Sequence, residues 1–471
     1  MTIRLPLAVV VAVVVIIESV VELRGESNAI DVDAVGPLLQ ATSKSRDQHH
    51  GELWAVLVAG SNSWMNYRHQ ADVCHAYQIL HKHGVPDDHI IVMMYDDLAN
   101  NVDNPTPGVV INRPGGPDVY AGVPKDYSGK DVTPENFLKV LQGDAKGMRG
   151  TGSGRVLQSG PNDRVFINMV DHGAPGIFAF PDEYLNATDF ANTLIGMHRD
   201  KRFHEMVVYV EACESGSLFE NLLPKDIEVY ALSASSPRQH SYACYFDNKL
   251  GTYLGDVFSV KWMEDSDIEN LRRESLKSQF VLVREEVTTS TVMHWGELSI
   301  GSRKMARFLG GKKSSHPHSR PTTQHLQFPA DPCVNSSVPS PDVPLAILQA
   351  KKHSATTPEE REHLQEQLDI LHEKRRALKL AMHELAREVT GDTEVAANMV
   401  SGRHQLHDII RWPCYMDAVR IFHTRCINLA QNPYALRLVD TFINLCEHGY
   451  TADQVLRATT SVCPFSPKNV L

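Results

Sequence analysis

Five apolar runs rich in β-branched residues recur through the first half of the chain, and helical patterns separate them. The runs cover residues 54–59, 89–95, 164–170, 206–210 and 228–232. Each is apolar throughout rather than alternating, which is typical of strands buried on both faces of a parallel sheet. The patterns near them predict helices at about 70–84, 133–141, 189–198 and 267–288. Residues 51–310 are therefore predicted to form an α/β domain with a mainly parallel sheet flanked by helices.

The N-terminal residues 1–24 are typical of a secretory signal peptide. Arg4 precedes an apolar run at 5–17, which is shorter than the roughly 20 residues that span a bilayer. Residues 25–50 are predicted to be a short N-terminal pro-segment. We expect a protein of the secretory pathway that either stays in an acidic compartment like the lysosome or endosome or is secreted, for example into a digestive lumen. After signal removal we expect no membrane contact.

The last third of the chain changes character twice. Residues 311–358 are rich in Pro and Ser and predict an exposed linker and activation region. In 359–471, leucines recur near helical spacing among charges, so this part is predicted to be an all-α domain. Four cysteines there, Cys414, Cys426, Cys446 and Cys463, indicate two disulfides, and sequence alone leaves the pairing open.

Charge and ligand patterns exclude some classes of function. The net charge is −11, which disfavours a general nucleic-acid binder. Neither CxxC nor HxxxH completes a zinc ligand set, so we predict no metal and no cofactor.

Two of the predicted strands end in residues that can carry nucleophilic chemistry. Asp171, His172 and Gly173 follow the strand at 164–170, and Glu211 and Cys213 follow the next strand. Sites in parallel sheets gather at such strand ends. A cysteine nucleophile needs a base within reach and backbone N–H donors for the oxyanion. A buried structural cysteine beside a hydrogen-bonded histidine is the plainer alternative, but the polar residues around both favour a nucleophile and its base.

Further blocks accompany these strand ends in order along the chain. They are VAGSNSWMNYRHQAD at 58–72, MMYDD at 93–97, NPTPG at 104–108, DHG at 171–173, EACESGS at 211–217, SYACY at 241–245 and WMEDSD at 262–267. With these blocks, residues 51–310 resemble the legumain family of asparaginyl endopeptidases, the animal form more than the plant form. The resemblance extends to the C-terminal cysteines.

The resemblance implies a caspase-like fold and a Cys–His dyad. Cys213 would be the nucleophile, His172 the general acid and base, and Asn66 the residue that orients His172. Backbone N–H groups of Gly173 and Cys213 would form the oxyanion hole. Asp171 stands where family members can form a succinimide.

The resemblance also implies an asparagine pocket. Its members would be Arg68, His69, Glu211, Ser241 and Asp256. An asparagine side chain offers one carbonyl acceptor and two amide donors, so a fixed cation and two carboxylates complement it. Cleavage after Asp would require low pH, where protonated Asp imitates Asn. Without the resemblance, Arg68 and Asp256 would be read as ordinary surface charges.

In the same way, residues 359–471 are implied to be an inhibitory prodomain of a zymogen activated by acid. The resemblance implies the pairs Cys414–Cys446 and Cys426–Cys463 and leaves Cys333 unpaired. Expected partners are protein and peptide substrates, the prodomain itself and cystatin-type inhibitors. We hypothesise that Lys and Arg of the prodomain pair with acidic groups at the cleft, and that acid weakens these pairs.

Several positions depart from the family pattern. The stretch at 353–358 lacks the Asn at which the family cuts itself, so Asn335, Asp331, Asp342 or another protease would have to serve. His240 stands where the family commonly has Ser. Asn186 and Asn335 lie in glycosylation sequons.

Three other functions are open at this stage. A peptide ligase would use the same acyl-enzyme, with an amine in place of water. A transamidase subunit would be related chemistry, but the chain shows no C-terminal membrane span. A non-catalytic inhibitor would act through the tail.

Overall fold

The computed structural model describes residues 51–312, 331–401 and 409–463. The signal peptide and pro-segment predicted over 1–50 lie outside the described residues. Those residues all belong to one compact unit, in which an α/β part and a helical part pack together.

The central sheet follows the predicted parallel pattern. The strands are β1 (Leu53–Ala59), β2 (Ile90–Met93), β3 (Arg164–Val170), β4 (Gly173–Ala174), β5 (Ile177–Ala179), β6 (Tyr184–Asn186), β7 (Glu205–Glu211), β8 (Val229–Ser233), β9 (Tyr242–Asp247), β10 (Thr252–Asp256), β11 (Met293–Gly296) and β12 (Val338–Pro339). Six of them form one sheet in the order β11-β8-β7-β3-β1-β2. All its pairs are parallel except that of β11 with β8. The predicted fold class is confirmed.

The described residues form fourteen α-helices, the first five of which flank this sheet. They are α1 (Tyr67–Lys82), α2 (Pro134–Gln142), α3 (Ala187–Arg199), α4 (Val257–Ile268), α5 (Leu276–Glu286), α6 (Ala306–Leu309), α7 (Pro332–Asn335), α8 (Val343–Ser354), α9 (Pro358–Thr390), α10 (Thr393–Ser401), α11 (Trp412–Arg425), α12 (Pro433–Leu436), α13 (Asp440–Glu447) and α14 (Ala452–Val462). Alternate residues of β1 point to opposite faces: Leu57 packs in the cluster with α1, α4 and α5, and Val56 in the cluster with α2 and α3.

The single helix predicted over 267–288 is wrong. Helix α4 ends at Ile268, because Glu269 takes an extended conformation with ψ of 159°. A new helix begins after Ser275, whose side chain accepts a hydrogen bond from the Ser278 N–H. The apolar pattern spans both helices and hides the cap between them.

The expected linker also differs from what the structure shows. Residues 331–354 form α7, β12 and α8 on the α/β part rather than an exposed connection. Cys333 is bonded to Cys244, so the expectation that Cys333 is unpaired is wrong. Val343 and Ile347 of α8 pack against Ala243 and Tyr253. These buried contacts hold in place a segment whose Pro and Ser content predicts an exposed linker.

Helices α9 to α14 form the predicted helical domain. Its core includes Ala174 and Ile177 of the α/β part. The disulfides are Cys414–Cys446 and Cys426–Cys463, the crossed pairs that the resemblance implies. None of the described helices combines the length and apolar character needed to cross a bilayer.

Candidate active site

The site lies where four neighbouring strands end. Strands β8, β7, β3 and β1 are adjacent and parallel, so the loops that follow them meet at one edge of the sheet. Val170 of β3 lies opposite Glu211 of β7, and the Asp171 N–H donates to the Glu211 carbonyl at 3.0 Å. His172 and Cys213 each stand two residues beyond that pair.

Gly173 lets these two strand ends approach. A Cβ added at Gly173 would lie 2.3 Å from the Cys213 carbonyl oxygen and 3.1 Å from the Ala212 Cβ. A larger residue would force the ends of β3 and β7 apart. Sequence reasoning singled out this glycine as an oxyanion donor, and the structure adds a packing reason for it.

His172 is a buried, neutral imidazole with two polar neighbours. Its Nε2 lies 2.9 Å from Asn66 Oδ1 and its Nδ1 lies 3.4 Å from the Ser340 hydroxyl. Burial and the Arg68 cation hold its pKa well below the usual value. Because the Asn66 oxygen accepts, Nε2 must carry the proton, which leaves Nδ1 as the basic nitrogen. Asn66 is held in turn by its Nδ2 donating to the Asn62 carbonyl at 3.0 Å.

Cys213 is almost wholly buried just beyond β7. None of its described hydrogen bonds is to His172. The Sγ lies 3.7 Å from the Ser241 hydroxyl. Its Sγ and ligating atoms of Glu214 and His240 lie within 4.8 Å of one another. Burial raises the pKa of the Cys213 thiol, and its hydrogen bond with His240 opposes that rise.

His240 was noted from sequence only as a departure from the family. The structure places it beside the nucleophile, with Nδ1 2.9 Å from the Glu214 carboxylate. Burial lowers its pKa, but hydrogen bonds with Cys213 and Glu214 outweigh that and raise it to about 10. The protonated form of His240 is therefore favoured beside the thiol.

Arg68 is the fixed cation of the pocket and is completely buried. Its Nε donates to Asp256 Oδ1 at 2.9 Å, and its Nη2 donates to the Ser340 hydroxyl at 2.7 Å. Helix α1 carries Arg68 just after the loop that follows β1. Reading Arg68 and Asp256 as ordinary surface charges does not fit their burial.

Glu211 supplies an open acceptor in the same pocket. Its Oε2 accepts from the Ser259 N–H at 2.8 Å and the Ser259 hydroxyl at 3.1 Å. Its Oε1 has no hydrogen-bond partner among the residues that the structure describes. One oxygen is therefore fixed by α4, and the other is left for a donor.

His69 links the pocket to the His172 strand. Its Nδ1 lies 2.6 Å from the Ser61 hydroxyl and 3.2 Å from Asp171, and its Nε2 lies 3.6 Å from Asp256. Burial first, and then Arg68, lower its pKa well below the usual value, so it acts as a neutral donor and acceptor. Ser61 was missed from sequence, although it follows β1 in the same loop as Asn66.

The pocket holds more carboxyl groups than cations. Asp72, Asp171, Glu211 and Asp256 are all buried, and burial is the main cause that raises the pKa of each. Asp72 was also missed. It accepts from Asn112 Nδ2 at 2.7 Å and from the Asp256 N–H at 3.2 Å, one turn of α1 after Arg68.

Residues 338–342, which we call the insert, fill the cleft in this closed form. Val338 and Pro339 pair antiparallel with β9, and the Ser340 N–H donates to the Ser241 carbonyl at 2.9 Å. The Ser340 hydroxyl then reaches Arg68 and His172. The residue types in the insert do not predict this contact, and sequence reasoning missed it.

The helical domain holds the insert from the other side. Arg375 Nη1 lies 2.9 Å from Asp342, and Arg375 Nη2 donates to the Pro341 carbonyl at 3.0 Å. Arg437 lies 3.1 Å from the same Asp342 carboxylate. The acidic partner of these two arginines is Asp342 of the insert. The weakening of such pairs by acid stays a prediction.

The two sequons differ in their surroundings. Asn186 caps α3 and is half-buried, with its oxygen accepting from the Thr188 N–H at 2.9 Å. Asn335 is exposed at the end of α7. Glycosylation at either site stays a prediction, as does a succinimide at Asp171.

Comparisons with known proteins agree with this arrangement. Residues 53–311 match the peptidase C13 family, and residues 366–463 match the legumain prodomain. Legumain from Mus musculus is 49% identical over 418 residues, which cover 88% of this chain and 93% of that protein. Legumain from Homo sapiens is 46% identical over 416 residues, covering 88% and 93%.

A plant protein and a solved structure are also similar to parts of this chain. Legumain from the plant Canavalia ensiformis is 38% identical over 446 residues, covering 90% of this chain and 91% of that protein. Among solved structures, a caspase-1 from Spodoptera frugiperda aligns with 57% of this chain and 93% of its own, at 12% identity and a TM-score of 0.34.

Proposed function

This chain belongs to the peptidase C13 family, the legumain cysteine endopeptidases, and we propose that it hydrolyses peptide bonds after Asn with Cys213 as nucleophile and His172 as general acid and base. The chain carries its own C-terminal prodomain. We also propose that it works in an acidic compartment of the secretory pathway, after the prodomain is removed.

The observation that carries the proposed specificity is the burial of a cation, Arg68, and a carboxyl group with an open oxygen, Glu211, near enough to interact electrostatically. Arg68 Nη2, which now bonds the Ser340 hydroxyl, would donate to the carbonyl of an Asn side chain. The open Glu211 Oε1 would accept from the amide. An apolar side chain would leave these buried groups without partners, which costs several kcal/mol. Asp would enter when protonated, so its cleavage would need a lower pH.

The proposed chemistry starts when the insert leaves. His172 Nδ1 would then accept the proton of the Cys213 thiol, and the thiolate would attack the carbonyl carbon of the Asn residue. Backbone N–H groups of Gly173 and Cys213 would stabilise the oxyanion. The C–N bond would break as His172 returns the proton to the leaving amine. Water, deprotonated by His172, would attack the acyl carbon. The C–S bond would then break as His172 returns that proton to the Cys213 sulfur, which releases the acid.

The contacts of the insert support the proposal of a zymogen. Ser340 lies where the residue before the cleaved bond would lie, with its hydroxyl on Arg68. A serine hydroxyl cannot fill both the donor and the acceptor ends of the pocket, and Pro341 follows it. The insert would therefore block the cleft without being cut, and His172 would stay engaged with Ser340.

A panel of peptides that differ only at one position tests the proposal. Acid-matured enzyme is assayed at pH 5.5 and pH 4 on peptides with Asn, Asp, Gln or Ala before the cleavable bond. We expect Asn to exceed Ala by about 100-fold or more in kcat/KM, and Asp to gain relative to Asn at pH 4. Equal cleavage of Asn and Ala peptides would refute the specificity, and activity retained by Cys213→Ala would refute the nucleophile.

A further inference from the structure

Residues 331–337, which we call the tethered segment, are fixed to the α/β part independently of the helical domain. Cys333 is fully buried and forms a disulfide with Cys244 of β9 across 89 residues of sequence. Asp331 lies 2.6 Å from Lys261 Nζ on α4. One covalent bond and one ion pair therefore hold the start of the segment on the catalytic side.

The rest of the tethered segment follows β9 closely. The Ser336 hydroxyl accepts from the Tyr245 N–H at 2.9 Å, where Tyr245 has a φ of 60° that a non-glycine residue rarely adopts. Val334 packs against the same apolar cluster that contains Cys333. The segment therefore packs directly on β9, with the buried Cys333 side chain in the apolar core of the α/β part.

The tethered segment occupies one end of the cleft. The insert pairs with Tyr242 and Ala243, and the tethered segment comes directly before it along the chain, against Cys244 and Tyr245. A substrate that replaced the insert on β9 would run in the same direction. Its fourth residue before the cleaved bond would then meet Ser337.

We propose that the activated enzyme keeps the tethered segment in place through the Cys244–Cys333 disulfide, where it restricts the binding of substrate residues four or more positions before the cleaved bond. This rests on the proposed function, which sets the direction of the substrate. A main-chain cut on either side of the segment, or on both, leaves the disulfide intact, so the cuts that remove the helical domain do not release it. Apart from these cuts in the main chain, the proposal requires no bond to form or break.

The first experiment asks whether the segment is retained. Acid-activated wild-type protein is purified, digested and mapped by mass spectrometry without reductant. We expect a peptide containing Cys333 disulfide-bonded to a peptide containing Cys244. An activated protein whose Cys244 is a free thiol would overturn the proposal, and this result can be read whether or not the enzyme prefers Asn.

The second experiment asks whether the retained segment shapes the cleft. Two quenched peptides share the same three residues up to Asn and the same residues after the bond, and one extends three residues further toward its N-terminus. In Cys333→Ala, we expect the ratio of kcat/KM for the longer over the shorter peptide to rise by about tenfold, as added backbone hydrogen bonds become available. Cleavage of the shorter peptide should stay near that of the wild type.

Two further variants make the result unambiguous. Cys74→Ala removes a buried thiol of the same apolar cluster that lies 3.8 Å from the Met94 sulfur and forms no bridge, so its ratio should match the wild type. The double variant Cys244→Ala/Cys333→Ala should behave as Cys333→Ala does. An unchanged ratio in both disulfide variants would overturn the proposal that the tethered segment restricts substrate binding. Loss of Asn cleavage by the wild type itself would instead contradict the proposed function.

Discussion

At the scale of single residues, Asn66 fixes the tautomer of His172, the proposed general acid and base. Its oxygen lies 2.9 Å from Nε2, so the proton is held there and Nδ1 is left free. Loss of this acceptor would let the ring rotate and change tautomer without touching the pocket that binds the substrate.

Asn66→Ala should therefore lower kcat by about 10- to 100-fold, since proton transfer by a well-placed base contributes about that much or more. KM should change little, because Arg68 and Glu211 are untouched. Steady-state kinetics on an Asn peptide measure both constants. A raised KM with an unchanged kcat would show that Asn66 binds the substrate rather than orienting His172.

Gly173 is the residue-scale packing constraint of the site. Gly173→Ala places a Cβ 2.3 Å from the Cys213 carbonyl oxygen, and backbone cannot yield as a side chain can. We expect a loss of about 2 kcal/mol or more in the free energy of unfolding, measured by urea denaturation, together with loss of activity.

Gly196→Ala is the matched control for that change. Gly196 lies within α3, where an added Cβ meets only Arg199 Nη2 at 3.9 Å. Alanine in a helix interior stabilises by about 0.5–1 kcal/mol relative to glycine. If both alanine variants unfold at the same urea concentration, the close approach of β3 and β7 has no energetic weight.

Several of the residues that sequence reasoning identified follow strands of the central sheet at the same edge. Cys213, His172, Asn66 and Arg68 could be found because chemistry-bearing types stand at such ends and carry the family resemblance. Ser61 and Asp72 lie in the same loop or helix but have no distinctive type. Ser340 could not be found at all, because its role comes from a contact between distant parts of the chain.

At the scale of elements, α9 holds the insert against the cleft. Arg375 on α9 donates to both Asp342 and the Pro341 carbonyl, and its side chain is mostly buried. Removing Arg375 leaves the Pro341 carbonyl without this donor, and leaves Asp342 with Arg437 as its remaining cation.

Arg375→Met in a Cys213→Ala background should weaken the hold of the helical domain by about 2–3 kcal/mol. After the chain is clipped between insert and α9 by an added protease, size-exclusion chromatography at pH 7 measures what stays associated. Arg376→Met, an exposed neighbour on the same helix, is the control. Equal retention of the helical domain in both variants would contradict the role of Arg375.

Element boundaries show where pattern reasoning stops. The parallel strands were predictable because continuous apolar runs have few other uses. The break between α4 and α5 could not be predicted, because the apolar pattern is continuous across the serine cap that separates the two helices. The order of residues 331–354 depends on the disulfide from Cys333 and on apolar contacts with β9 and β10, none of which is local in sequence.

At the scale of the whole molecule, the buried carboxyl groups make folding sensitive to pH. Asp72, Asp171, Glu211 and Asp256 have pKa values raised above those of an unfolded chain. The folded state therefore binds more protons than the unfolded state as pH rises above the ordinary carboxyl range. Stability is fully present below that range and falls as pH rises toward the folded-state pKa values.

Buried His69 and His172 oppose this between pH 5 and pH 7, because their lowered pKa values let the unfolded state bind protons that the folded state does not. The prediction therefore concerns the difference between the melting temperatures at pH 5 and pH 7 of the full chain carrying Cys213→Ala. Adding Glu211→Gln should shift this difference toward higher stability at pH 7, because glutamine keeps the shape and cannot ionise. Glu285→Gln, at an exposed position on α5, should leave it unchanged. Differential scanning fluorimetry across this pH range checks the three proteins. An unshifted difference in the Glu211→Gln protein would contradict the assigned burial effect.

The central claim is that the Cys213 thiol attacks a substrate carbonyl next to a pocket that binds an Asn side chain. Covalent labelling tests this claim most directly. Acid-matured protein is treated with a peptide electrophile that ends in Asn, and with a matched one that ends in Ala. We predict one label per molecule, mapped to Cys213, at a rate about 100-fold higher for the Asn reagent, and slow labelling in His172→Ala. A label on another residue, or equal rates for the two reagents, would contradict the account.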